Sequence, residues 1–155
     1  MSYVSNLKLH NFRCYQQAAL SDVGAGLVVL HGPNGAGKTT TINILCTLTK
    51  PTSGRASIAG LDVVHQQSQV RQQIGLVFQD PSLDERLSGL QNLRFHALVY
   101  SVPASVREQR IEQLLKMMEL WDKRHNKVQT FSGGMKRRLE LARGLLHHPR
   151  VLFLD

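Results

Sequence analysis

The chain has 155 residues, 42% hydrophobic and 19% charged, with 19 Lys and Arg against 11 Asp and Glu for a net charge of +8. That is an ordinary globular composition for about one domain, and it excludes a disordered tail, a collagen-like repeat and a coiled coil. The longest clean apolar runs, 27–30 and 151–154, fall far short of the roughly 20 residues of a membrane-spanning helix. Two cysteines, Cys14 and Cys46, are too few for a disulfide framework and indicate a reducing compartment. The seven histidines show no zinc-ligand spacing, and the first residues lack the apolar core of a signal peptide. The charge is uneven: +3 over residues 1–50, zero over 51–100 and +5 over 101–155. A basic surface of this kind suits an anionic partner, whether nucleotide, nucleic acid or lipid headgroup.

In chain order, Tyr3, Val4, Leu7 and Leu9 predict a strand over 3–9. Leu27–Leu30 is a short apolar run ending at a glycine-rich stretch and predicts a buried parallel strand. Thr39 to Thr49 predicts a helix with Ile42, Leu45, Cys46 and Leu48 apolar, broken by Pro51-Thr52-Ser53-Gly54. Residues 55–64 predict a hairpin around Ala59-Gly60, and Ile74–Phe78 another short strand. Leu83, Leu87, Leu90, Leu93 and Ala97 recur at helical spacing, as a core stripe. Pro103 interrupts, and Ser105-Val106-Arg107-Glu108 predicts a capping box for the next helix. A third helix starts near Ser132, carries Met135, Leu139, Ala142 and Leu146, and stops at Pro149. His147 and His148 are expected as solvated residues near its C-terminal dipole. Val151–Leu154 predicts a last strand. Alternating strands and helices argue an α/β fold with a parallel sheet.

Two motifs carry chemistry. Gly32-Pro33-Asn34-Gly35-Ala36-Gly37-Lys38-Thr39 fits a P-loop between a strand and a helix. Glycines there let successive N–H groups point inward at phosphate oxygens, and the helix start adds its positive dipole end. Lys38 supplies a point charge for the β- and γ-phosphates and Thr39 a hydroxyl for Mg²⁺. Phe131-Ser132-Gly133-Gly134-Met135 opens a helix with further anion-binding groups. Val151-Leu152-Phe153-Leu154-Asp155 has the shape of a strand delivering a carboxylate to a metal beside the P-loop.

Together these residues resemble the ATP-binding-cassette (ABC) ATPases. GPNGAGKT stands as Walker A, FSGGM in place of the LSGGQ signature, VLFLD as Walker B, and Gln79 in IGLVFQD as the Q-loop glutamine. The resemblance implies a P-loop NTPase core with an N-terminal β segment and an α-helical subdomain over 82–131, all within one ABC-type domain over 1–155. It implies ATP and Mg²⁺ as cofactors. ATP would be bound by Gly32, Pro33, Asn34, Gly35, Ala36, Gly37, Lys38, Thr39 and Thr40. Thr39, Gln79 and Asp155 would hold the metal, and Lys38, Gln79 and Asp155 would be the catalytic group. Ser132, Gly133 and Gly134 would meet the nucleotide held by a second ATP-binding domain in a head-to-tail sandwich.

Residues 40–155 are most similar to the motor subunits of bacterial drug and polysaccharide exporters. This implies a transmembrane permease partner and a cytoplasmic position on the inner face of the membrane. Residues 1–30, through LKLHNFRCY at 7–15, instead resemble the opening of the RecF/SMC class of recombination-and-repair ATPases. The chain therefore reads as composite, with a join near the P-loop. A DNA-repair ATPase, with Lys136-Arg137-Arg138 on DNA, or a nucleotide-binding fragment without turnover, are the alternatives. Tyr15 and Arg13 are secondary nucleotide-contact candidates. The family's next residue after Walker B is usually a glutamate that polarises water, followed by a D-loop and a switch histidine. The chain stops before them, so the expectation is an ABC ATPase domain truncated after Walker B and near-background hydrolysis by the chain alone.

Overall fold

The computed structural model describes residues 6–12, 15–21, 38–77 and 82–154. They fall into two compact units, 1–76 with 150–155, and 77–149. In the first unit, β1 (Asn6–Phe12), β2 (Tyr15–Ser21), β3 (Arg55–Ile58) and β4 (Leu61–Asp62) form a sheet in the order β2-β1-β3-β4. Leu7 lies opposite Leu20 and Ile58, and Leu9 opposite Ala18 and Ala56. All three pairings are antiparallel, so the parallel sheet expected of the fold is not made by these strands. For β1–β2 and β3–β4 the reason is connection length: two residues separate each pair, and parallel neighbours need a crossover of a dozen or more. The apolar run 27–30 lies outside the described residues.

The hairpin expected around Ala59-Gly60 is β3–β4. Ala59 and Gly60 have φ of 51° and 80°, the left-handed pair that a two-residue turn of matching twist requires. Helix α1 (Lys38–Leu45) buries Ile42, Ile44 and Leu45 on Ala56, Ile58, Val63 and Val70. A short helix, α2 (Gln67–Gln73), not anticipated from the sequence, leads into β5 (Ile74–Val77). β5 pairs with β6 (Val151–Leu154), and Ile74 and Phe153 join the same core.

Helix α1 ends four residues before the expected Thr49. The Leu48 N–H donates to Asn43 O at 2.8 Å and the Thr47 N–H to Ile44 O at 3.0 Å, with Thr47 at φ 62°. This is a Schellman closure made without glycine, at a β-branched residue for which that φ is strained. The Arg71 guanidinium donates to the Thr47 hydroxyl at 3.1 Å.

The second unit is helical: α3 (Gly89–Val99), α4 (Ala104–Met117) and α5 (Gly133–Leu145), with 3₁₀ turns at Trp121–Lys123 and Val128–Thr130. Leu90, Leu93 and Ala97 of α3 pack with Ile111 and Leu115 of α4 and with Leu139 and Ala142 of α5, so this part of the stripe is core, whereas Leu83 and Leu87 precede the helix, Leu83 buried in the same core and Leu87 half-buried. Trp121 packs at its edge, with the Arg124 guanidinium 4.2 Å from the ring centre.

The capping box expected at Ser105–Glu108 does not form. Helix α4 begins at Ala104 behind Pro103 and has no side-chain cap, because proline's fixed φ already presets a helix start. Glu108 instead bridges Arg94 at 2.7 Å. The capping box of this unit is Ser88 with Gln91, which close on each other at 2.8 and 3.2 Å at the head of α3.

Of the two C-terminal histidines, His148 is exposed as expected and His147 is not. His147 is half-buried and stacks on Tyr100 with ring centres 4.2 Å apart. His148 is exposed, yet burial of its ring and the nearby Arg110 lower its pKa, opposing the dipole stabilisation of a charged form. His96 also stacks with Tyr100, ring centres 6.2 Å apart. Burial, and then Arg143, push the His96 imidazole down to about 4. An unfolded histidine takes its proton near pH 6.5. The stability conferred by neutral His96 is therefore full above about pH 6.5 and lost as the pH falls toward 4. Urea titrations of wild type and His96→Gln at about pH 7 and pH 5 check this. The variant is expected to show the smaller pH dependence, and equal dependence refutes the role.

Candidate functional site

Of the phosphate-binding residues, Gly32, Pro33, Asn34, Gly35, Ala36 and Gly37 lie outside the described residues, as do Gln79, Asp155 and Arg13. Lys38 is the first residue of α1, and Thr39 and Thr40 follow it in the same turn. That turn carries no acidic residue, so nothing offsets the positive end of the helix dipole where an anion would sit. Thr39 is exposed and Thr40 half-buried. Thr40 and Ile44 line a pocket of about 180 Å³ with Thr49, Lys50, Thr52 and Ser53. The buried anchors Ile42, Ile44 and Leu45 come later in the helix, so α1 is held mainly by packing beyond its first residues. Tyr15 is the first residue of β2. Among the described residues no group of three or more His, Cys, Asp or Glu side chains is placed to hold a metal; Thr39 is the one proposed Mg²⁺ ligand among them.

The signature residues stand at the head of α5. Ser132 is the N-cap, and its hydroxyl accepts the Met135 N–H at 3.2 Å. The residues that depart from the family's LSGGQ pattern explain themselves by packing. Phe131 is buried in the helical core, and its ring lies 3.4 Å from where a Cβ on Gly89 would sit. The absent side chain at Gly89 makes room for the larger aromatic. Met135 packs partly buried on the same core.

Gly133 and Gly134 behave differently. Each sits in the first turn of α5, and a Cβ at either would meet nothing within 4 Å. Nothing in the intrachain packing demands glycine there, where it costs about 0.5–1 kcal/mol of helix stability each. Both are exposed, with Ser132, on a helix end that has no acidic residue in its first turn.

Behind that helix end, residues 82–88 are fastened to α5 and α3. Glu140 has no exposed surface and pairs with Arg143 at 2.7 Å, Arg143 being 5% exposed. The Glu140 carboxylate also accepts the Ser82 backbone N–H at 2.5 Å and the Ser82 hydroxyl at 3.3 Å. One turn earlier, Lys136 pairs with Glu85. From the other side, Asn92 exchanges two hydrogen bonds with the backbone of Asp84, at 3.0 and 2.9 Å. Spacing on α5 predicts the Glu140–Arg143 pair. Ser82 and Glu85 escape sequence reading, because partners 51 and 58 residues away leave no local pattern. Arg138 is engaged with Glu119 at 2.7 Å, and Lys136 and Arg138 serve intrachain ion pairs.

The profile of the family described as ABC transporter matches residues 22–155, leaving outside it most of the stretch that resembles the RecF/SMC class. The Daunorubicin resistance ATP-binding protein DrrA3 of Streptomyces coeruleorubidus is 45% identical over 124 residues, 80% of this chain and 39% of that protein. The Nod factor export ATP-binding protein I of Cupriavidus pinatubonensis is 35% identical over 150 residues, 97% of this chain and 42% of that protein. The chain thus spans about two-fifths of the length of these curated relatives. A solved structure described as the ATP binding subunit of an ABC transporter superposes with a TM-score of 0.79 at 28% identity, covering 97% of this chain and 65% of that one. With a family match over most of its length and a mixed α/β fold shared with solved ATP-binding subunits, the chain belongs to the ABC transporter ATP-binding family.

Proposed function

We propose that the chain is the nucleotide-binding part of a motor that hydrolyses ATP to drive export through a separate membrane permease. In this reading Gly32–Thr40 hold the phosphates and Thr39, Gln79 and Asp155 hold Mg²⁺, which neutralises charge on the β- and γ-phosphates. Ser132, Gly133 and Gly134 close on the nucleotide bound by a second ATP-binding domain. The observation that carries the reading is the bare head of α5. Two glycines that the fold does not require, with open space over both, suit a surface that another molecule's phosphates approach closely. The export direction rests on likeness to drug-resistance and Nod factor export proteins.

The permease is taken to dock on the helical stretch 82–131. Phe95, Leu98 and Val99 lie there at helical spacing on one face of α3 and are 56–59% exposed. Among the described residues no helix is long and apolar enough to cross a membrane, so the spanning part is assigned to the partner.

Sedimentation of the full-length protein with ATP and Mg²⁺ tests the pairing. Wild type is expected to pair on addition of nucleotide. Ser132→Arg is expected to stay monomeric while its ATP affinity changes by less than about twofold, because the bulky cation obstructs the facing site and leaves its own P-loop untouched. Loss of nucleotide binding by monomeric Ser132→Arg overturns the assignment of Ser132.

A further inference from the structure

Residues 82–88 follow Gln79 by three positions, and α5 begins with the signature. Two links of opposite polarity join them. Glu140, on the helix, reaches the Ser82 N–H and hydroxyl on the loop; Glu85, on the loop, reaches Lys136 on the helix. Positions 136 and 140 are one turn apart and share a face of α5. The first link is sealed: Glu140 is fully buried and Arg143 nearly so. A buried carboxylate satisfied by a guanidinium and a backbone N–H has few alternative arrangements, because any departure strands a charge. The segment 82–85 is thereby tied to the signature helix at two points, while Asn92 ties Asp84 to α3. α3 is the helix whose apolar face is open to a partner.

We propose that Ser82–Glu140 and Glu85–Lys136 form a strut that makes the segment after Gln79 and the signature helix move as one body, with Glu140 and Glu85 as positioning residues for permease-stimulated ATP hydrolysis. The proposal rests on the export reading above. Neither residue belongs to the strings assigned to the nucleotide, 32–40 and 132–134. Their effect passes through the orientation of Ser132, Gly133 and Gly134, and therefore appears in the response to the permease and not in ATP affinity.

The exposed half of the strut allows a charge-reversal cycle that spares the core. Full-length protein with its permease in proteoliposomes is compared as wild type, Glu85→Lys, Lys136→Glu and the double reversal. Each single reversal is expected to cut the permease-stimulated increment of hydrolysis at least fivefold, with the basal rate and the KM for ATP within twofold. The double reversal is expected to restore at least half of the increment. Unchanged stimulation in both single variants, or no recovery in the double, overturns the proposal. A merely structural role would lower basal and stimulated rates together. The buried half is read with Glu140→Leu/Arg143→Met, which fills the same space without charge; retention of full stimulation there overturns the role of Glu140. A wild type that the permease does not stimulate overturns the export function instead. The strut is then decided by hydrogen exchange on adding ATP and Mg²⁺ to the protein alone. Wild type is expected to change at 82–88 and 132–136 together, and each single reversal at 132–136 only. Independent change in wild type overturns it.

Discussion

Glu140→Ala is expected to destabilise the helical unit by about 3–5 kcal/mol, the scale measured when one partner of a buried ion pair is removed. The loss is large because the alanine removes the carboxylate that a buried guanidinium faces. Arg143, 5% exposed, keeps a guanidinium that has lost the carboxylate at 2.7 Å. The Ser82 backbone N–H also loses the acceptor at 2.5 Å, a smaller loss because Ser82 is exposed and water can replace the carboxylate. The pair itself is a different matter. Desolvating two charges offsets most of their attraction, so replacing both by apolar residues of similar volume is often neutral or stabilising. Glu140→Leu/Arg143→Met is therefore expected to recover most of the stability that Glu140→Ala loses. Hydrogen exchange of α5 amides in the full-length protein reads both. Exchange should quicken by roughly two to four orders of magnitude in Glu140→Ala, as a shift of that size implies, and return toward wild type in the double variant. A loss under about 1 kcal/mol would mean that water reaches the pair, contrary to its burial.

The balance between coupling and stability explains why such a pair belongs beside a signature helix. Hydrophobic contacts in this unit, such as Leu93 with Leu115 and Leu139, hold the helices together but tolerate small sliding. An ion pair with a backbone N–H attached fixes direction as well as distance. The same contrast shows in Phe131 and Ser132. The buried ring sets where the chain enters α5, and the adjacent hydroxyl, bonded to Met135 N–H, sets the first turn.

Much of this arrangement is legible in the sequence wherever a single local rule decides the outcome. Ala59-Gly60 between short strands gave the hairpin, and Ser132 before a helical run of apolar residues gave the start of α5. Helix ends were harder. α1, α3 and α4 close at Thr47, Ser101 and Glu119, all with positive φ and none a glycine, so the usual stop signal is missing. What supports the turns at Ser101 and Glu119 is the residue after each: Val102 and Leu120 are buried against their own helices' unit, a tertiary reward that no local pattern announces, whereas Leu48 after Thr47 is exposed. Ser105–Glu108 failed for the converse reason. The pattern is present, but Pro103 had already set the helix start, and Glu108 found Arg94, 14 residues back. The candidate site divides in the same way. The P-loop and signature are contiguous strings and are read directly, whereas the Ser82–Glu140 and Glu85–Lys136 links join distant positions and emerge only from packing.

Lys38→Ala is expected to weaken ATP binding by about 1.5–3 kcal/mol, or roughly 10- to 150-fold in Kd. Lys38 is the first residue of α1, in a turn without acidic side chains. The helix end contributes partial positive charge there, but a full charge on a mobile stem adds a hydrogen bond of the charge-assisted class to a phosphate oxygen. The substitution leaves the framework in place. Alanine is the best helix former, and the side chains that anchor α1, Ile42, Ile44 and Leu45, lie from the second turn onward. A drop in affinity therefore reports the charge and not the fold. Lys38→Arg sharpens the test, because it keeps the charge but replaces a compact ammonium with a planar fork that a loop shaped for a point charge does not accommodate; its affinity is expected to fall between those of wild type and Lys38→Ala. Isothermal titration of the full-length protein with ATP and Mg²⁺ measures all three. Wild-type affinity in a folded Lys38→Ala protein would remove the lysine from the phosphate site, and with it the reason for reading residues 32–39 as a phosphate cradle.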